Sequence, residues 1–402
     1  MASTNETATL RKFPFQRDWP LSQPPEMAEV RKIEPISKVQ LWDGSTAWLA
    51  TRYADIKQLL NDRALSSDTL RPGFPQSSET AASFRKGQRV FARMDPPQHD
   101  VHRLMLTADF MIRRVRGYRP YLDAMIDEVF DGMEKSGGPV DLVQSLALPV
   151  PSRVITKLLD LPPEDSDFFL DRVQKAMSLD STPEESQQAG TDTLAYFARV
   201  IEERWDSDAD DLISRLVRGR VRTGELTPEE LQHMLHLILV GGFDTTANMI
   251  ALGTLLFLEN PDQIKKLREN PDLVPAAVEE LLRYLSVAHH VAYRQAAEDT
   301  SIGGFDIRAG EGVIAPIMAA NHDPEAFPDP EKFDITRDAR GHLAFGYGVH
   351  QCLGQPLARV ELQAVFAKIF DRFPNLRLVE KVENLEFHNS IIYGVESVLV
   401  DW

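Results

Sequence analysis

The chain has 402 residues, 43% hydrophobic and 26% charged, an ordinary globular composition for one large domain or two. A formal charge of −17 argues against a nucleic-acid binder; one cysteine excludes an intramolecular disulfide and multi-cysteine zinc sites, and suits a reducing cytosol. The N-terminus is polar, without the apolar segment of a secretory signal, and the best apolar run, LILVGGF at 237–243, is too short to span a bilayer, so a cytoplasmic location and no membrane contact are expected.

Residues 1–24 are proline-rich and lack periodicity, and are expected as an extended N-terminal arm ahead of one domain over 25–402. PEMAEVRKI (25–33) reads as a short helix opened by proline. KVQLWDGSTAWLATR alternates apolar residues on both sides of Asp43-Gly44, which predicts a β-hairpin. From about 53 to 288 the period is helical, as in YLDAMIDEVFDGMEK (121–135), DTLAYFARVIEERW (192–205) and PAAVEELLRYL (275–285). The polar loop 66–89 interrupts it, and the longest helical pattern covers 228–259. After 290 come short strands, a Pro/Asp-rich meander, a final helix over 356–373 and terminal strands. The expected fold class is mainly α with a minor β region, in a single domain.

Four stretches carry chemistry. In FGYGVHQCLGQP (345–356), Cys352 stands where a helix begins, and the first amides of a helix stabilise a thiolate. Gly346, Gly348 and Gly354 leave room for something flat and large to approach the backbone. A buried inert thiol is the plainer alternative, and a catalytic thiol lacks an identifiable His–Asn/Asp pair. In DPPQHDVHR (95–103), His99 and Arg103 are four apart on one helix face, which could be merely solvated. In EELLR, Glu280 and Arg283 are three apart and could form a weak surface ion pair. In GGFDTT (241–246), paired glycines and the polar Asp244, Thr245 and Thr246 interrupt an apolar helix, either as a back-bonded kink or as a site.

Phe345, Gly348, Cys352 and Gly354 reproduce the pattern Phe-x-x-Gly-x-x-x-Cys-x-Gly, with His350 in its usual place. The sequence resembles the cytochrome P450 superfamily, most of all its soluble bacterial-type members, from the hairpin at 38–52 to the final helix. The resemblance implies the P450 fold and haem b as cofactor, with Cys352 as axial thiolate ligand of the iron between Phe345 and Gly354. It implies that His99, Arg103, Arg294 and His350 bind the haem propionates, and that Glu280, Arg283 and Arg337 form a structural triad. It also implies that Asp244 relays protons from solvent and that Thr245 hydrogen-bonds bound oxygen.

The function so implied is a monooxygenase that inserts one oxygen atom from O2 into a medium-sized organic substrate. Electrons would come from NAD(P)H through a separate reductase and a ferredoxin-like carrier, and a monomer is expected. Arg113, Arg114, Arg116 and Arg119 are candidates for docking that carrier. The alternative is an NADH-dependent nitric oxide reductase of the same superfamily, since LWDGSTAWLATR, RMDPPQH and LALPVPS resemble the fungal enzyme. The acid–alcohol pair at 244–245 speaks against it, as it does against a peroxygenase or a haem sensor without catalysis. By position in the family fold, the substrate pocket is expected from the loop 66–92, helices near 163–205 and residues 286–293, with Phe243, His289, His290 and Val291 as contacts.

Overall fold

The computed structural model describes residues 10–79, 90–177, 181–289, 291–389 and 391–402. Its axis is the helix Pro228–Leu258. Thr227 caps it: the Thr227 hydroxyl accepts from Glu230 N at 3.1 Å, Glu230 Oε2 accepts from Thr227 N at 2.8 Å, and Pro228 opens the first turn. The helix is apolar and long enough to cross a membrane, yet its apolar window is largely buried inside the protein, which makes it a core helix here. Pro149–Leu158, Pro183–Glu203, Val274–Leu285 and Gln355–Phe366 pack against it and build the larger hydrophobic core. Arg119–Ser136 and Val274–Leu285 contain the helical stretches expected at 121–135 and 275–285, and Pro183–Glu203 covers most of that at 192–205.

A second core lies on a six-stranded mixed sheet. Its order is Arg11–Lys12, Ile36–Gln40, Thr46–Ala50, Gly312–Ile314, Tyr293–Ala296 and Leu65–Ser66. Ile36–Gln40 and Thr46–Ala50 form the expected hairpin, with Gly44 at φ +82° in its turn. Leu65–Ser66 pairs with Tyr293–Ala296, and Asp95 accepts from Ser67 N at 2.8 Å, so the start of the polar loop is anchored. The described part of the N-terminal segment is packed: Phe13 and Phe15 are buried on the sheet, and Arg17 lies over the Tyr393 ring at 3.9 Å.

The final helix differs from the sequence reading. It divides into Gln355–Phe366 and Ile369–Arg372, because Lys368 leaves helical angles at φ −126°. Its ammonium instead reaches Asp127 Oδ2 at 2.8 Å and the Asp123 carbonyl at 3.0 Å on a neighbouring helix.

Candidate active site

A cavity of about 450 Å³ lies where Pro228–Leu258 meets the loop before Gln355–Phe366. Gln355 begins that helix, Gly354 caps it, and Pro356 sits in its first turn, as the sequence predicts. Cys352 N donates to the Phe345 carbonyl at 2.8 Å, closing the loop, while the sulfur stays open to the cavity. Burial pushes the thiol pKa up; the amides of Gly354 and Gln355 and the guanidinium groups of Arg103 and Arg359 pull the other way. Gly346 and Gly354 line the cavity. Gly348 does not: it sits at φ +73°, where a Cβ would come within 2.6 Å of the Leu60 carbonyl oxygen. That glycine therefore clears the protein's own backbone, a correction to its reading as space for a ligand.

His99 is buried and tied through Nδ1 to Asp100 at 2.8 Å, but its Nε2 has no partner. The His350 ring lies 4.2 Å away, centroid to centroid, and its Nδ1 is likewise without a partner. Burial, reinforced by Arg294, His99 and Arg103, pushes the His350 pKa down to about 3. Arg103 and Arg294 line the same cavity, and Arg294 Nη1 donates to the Tyr293 carbonyl at 2.7 Å. Two orphaned imidazole nitrogens and two guanidinium groups suit a dianionic ligand, and the open sulfur suits a soft metal. The residues present thus fit iron protoporphyrin, a flat macrocycle with two carboxylates.

Another wall comes from the long helix. Gly242 lets it approach Pro149–Leu158, since a Cβ would stand 2.5 Å from Ile155 Cδ1. Gly241 faces open space, and Thr245 Oγ1 donates to its carbonyl at 2.7 Å. Burial raises the Asp244 pKa to about 7; a hydrogen bond from Asn248 opposes the rise and the charge of Glu396 adds to it. Asp244 and Thr245 both line the cavity, so both features of this stretch, back-bonding and site, occur together.

The cysteine loop is held by the triad that the resemblance implies and by further groups, Asn321, Glu279, His342 and Arg359, that the motif reading missed. Arg283 makes a doubly hydrogen-bonded pair with Glu280 at 2.7 and 2.9 Å, Arg337 adds a bond to Glu280 at 3.1 Å, and the Glu280–Arg283 pair is fully buried. Arg283 also donates to the Asn321 carbonyl at 2.8 Å, and the Asn321 side chain accepts from Leu343 N at 2.7 Å. Glu279 is gripped by Arg359 at 2.6 and 3.0 Å and by His342 at 3.1 Å. Burial alone would raise this carboxyl, but those bonds outweigh it and hold it down at about 2. Arg359 then stacks 4.6 Å over the Phe345 ring. Glu279 directly precedes Glu280 and Arg359 follows Gln355 by one helical turn, so spacing could have drawn attention to both.

The substrate contacts need three corrections. Phe243 is 1% exposed and packed in the core, because it points one step round the helix from the face that carries Gly241, Asp244 and Thr245. His289 is buried against Tyr393, ring centroids 5.4 Å apart, and does not line the cavity. Among the described residues, none from 163–205 lines it either. Val291 does, together with Ser67, Thr69 and Phe74 from the loop 66–92. His290 lies outside the described residues.

An open thiol beneath helix amides, within a cradle for two carboxylates, suits a haem-thiolate protein. The chain belongs to the cytochrome P450 family, whose sequence model matches residues 155–393. It is 45% identical to cytochrome P450-SU2 of Streptomyces griseolus over 95% of this chain and 94% of that protein. The crystal structure of GfsF superposes with a TM-score of 0.93 at 41% identity, covering 98% of this chain and all of the other; the curated GfsF is from Streptomyces halstedii. MycCI from Micromonospora griseorubida, a mycinamicin VIII C21 methyl hydroxylase solved with mycinamicin VIII, superposes with a TM-score of 0.90 at 36% identity over 98% and 100%. The fold is that of a P450, the cofactor is haem b, and the chain is a monooxygenase acting on organic substrates. The nitric oxide reductase alternative is not favoured.

Proposed function

We propose that Cys352 ligates the haem iron and that His99 Nε2, His350 Nδ1, Arg103 and Arg294 take its propionates. Phe345 and Gly354 shape the sulfur's surroundings. Bound there, the haem supplies oxygen activation, and electron donation from its sulfur ligand favours O–O cleavage. Asp244 holds a proton near neutral pH and passes it into the cavity. The Thr245 hydroxyl donates its hydrogen bond to the Gly241 carbonyl, so its lone pairs offer the cavity an acceptor that holds a proton donor in place. The observation that supports this most is the convergence on one cavity of the thiol, the orphaned imidazoles and the acid–alcohol pair.

The substrate is a medium-sized, largely apolar molecule of terpenoid, polyketide or aromatic type, since Phe74, Leu237, Ile238, Val287, Val291 and Ile391 form much of the wall. The enzyme works as a cytoplasmic monomer and receives electrons from a ferredoxin-like carrier and an NAD(P)H reductase. The carrier docks at Arg113 and Arg116, which are exposed and have no ion-pair partner among the described residues. Arg114 and Arg119 also face outward but are engaged by Asp109 at 3.3 Å and Asp123 at 2.9 Å. Exposed Met111 and Ile112 lie beside them, and Ile112–Arg116 packs on the helix behind Cys352.

Titrating the ferric holoprotein with such compounds and following the high-spin shift tests this reading. A binder converted to a hydroxylated product by the carrier and reductase supports it. Steady NADH consumption with nitric oxide and no carrier would overturn it.

A further inference from the structure

Asp244 is linked to the protein surface by side chains that the reading above does not use. Asn248 Nδ2 donates to Asp244 Oδ1 at 2.9 Å and to the Asp244 carbonyl at 3.0 Å. Asn248 is buried, and beyond it lies the hairpin of Phe387–Asn389 and Tyr393–Val395, in which His388 stands across from Gly394. A Cβ on Gly394 would overlap both Asn248 Oδ1 and His388 Nε2, so these two polar atoms converge on one small space. On its other side, His388 Nδ1 lies 3.0 Å from Glu396 Oε1, an ion-pair contact that a small turn of the imidazole would bring into hydrogen-bond geometry, and Glu396 is 45% exposed. A line of polar groups thus runs from solvent to the cavity wall through Glu396, His388, Asn248 and Asp244.

Donors and acceptors must alternate along such a line. A neutral imidazole has one N–H. If Nδ1–H serves Glu396, the Nε2 lone pair is the atom that shares the space beside Gly394 with the Asn248 oxygen, acceptor facing acceptor. Two arrangements remove the conflict. In one, His388 carries both protons and donates to Asn248 Oδ1, while Asn248 Nδ2 donates to an ionised Asp244. In the other, His388 is neutral, the amide is turned over, its nitrogen donates to Nε2 and its oxygen accepts from protonated Asp244. The orientation of a buried amide is set by networks of this kind.

We infer that Asn248 is a two-position amide that lets a proton reside on His388 or on Asp244 but opposes one on both, which makes His388 and Glu396 positioning residues for Asp244. Protonated His388 with ionised Asp244 exchanges for neutral His388 with protonated Asp244, so the total charge is unchanged. The amide turns and carries no proton; His388 exchanges with solvent beside Glu396, and Asp244 exchanges through the cavity. When Asp244 gives its proton inward, the surface pair takes one up. Proton affinities support the competition: burial raises Asp244 to about 7, while burial lowers His388 against the opposing charge of Glu396. Glu396 is the charged group that bears on both; Arg17 and His289 meet this hairpin at Tyr393.

The inference rests on the reading of Asp244 as the proton donor for its catalytic meaning, so its test involves no turnover. In the ferrous carbon monoxide form of the full holoprotein, nitrogen-15 histidine NMR follows His388 and isotope-edited infrared follows the Asp244 carboxyl. D244N suits either amide position and should raise the proton affinity of His388 about tenfold. H388Q likewise bonds in both positions and should lower the proton affinity of Asp244 about tenfold. If H388Q does not fold, H388F serves for the same comparison. Unchanged midpoints in D244N and in the position-388 variant would overturn the inference. Coupled midpoints with normal turnover in D244N would keep the coupling and remove only the catalytic role of Asp244.

Discussion

Burial disfavours the ionised form of Asp244, and the charge of Glu396 adds to this, so its carboxyl keeps a proton close to pH 7. A proton donor works only while protonated, so its contribution is full below that pH and is lost as pH rises through it. Product formed per NAD(P)H in wild type should therefore fall across about pH 6 to 8, and D244N should lie roughly 100-fold lower with no slope in this range. Measuring turnover and coupling against pH checks both. The Asp-Thr pair was legible in the sequence because two polar residues interrupt an apolar helix. Asn248 is one turn further on and could have been found by spacing. His388 and Glu396 could not, because the chain returns to this helix only through tertiary packing. Helical spacing alone would have excluded Phe243, which is off the face shared by Gly241, Asp244 and Thr245.

The cysteine loop shows what an element adds to its motif. Its glycines look alike in sequence but do different things: Gly346 and Gly354 border the cavity, and Gly348 passes against the end of the helix Tyr53–Asn61. G348A places a side chain at φ +73° and against a backbone carbonyl that cannot move aside cheaply. It should cost about 2 kcal/mol or more and lower the melting temperature of the holoprotein, whereas an alanine at Gly241, which is helical and faces open space, should be neutral or stabilise by up to about 1 kcal/mol. The hairpin at Gly44 followed from local chemistry and was readable in advance. The break at Lys368 was not, because it coincides with contacts of the Lys368 ammonium to groups on another helix, which local sequence does not show.

At the scale of the whole molecule, the helical core and the sheet core meet through buried polar groups. Glu280 and Arg283 belong to the first, Asn321 to the edge of the second, and Asn321 holds Leu343 at the start of the cysteine loop. R283A leaves the Glu280 carboxylate buried with only Arg337 and the Asp334 amide to bond it among the described residues, so a loss of about 3–5 kcal/mol is expected in denaturant unfolding. The double variant R113E/R116E should raise the carrier concentration needed for half-maximal turnover about tenfold at low salt, with the haem spectrum unchanged; an unchanged dependence would place docking elsewhere. The measurement that decides most is the absorption of the reduced holoprotein with carbon monoxide, for wild type and C352H. Wild type should give the red-shifted Soret band of a thiolate-ligated haem, and C352H should bind haem in the same cradle and lose that band. A wild-type spectrum without the shift, or a C352H spectrum that keeps it, would contradict the assignment of Cys352 as the iron ligand.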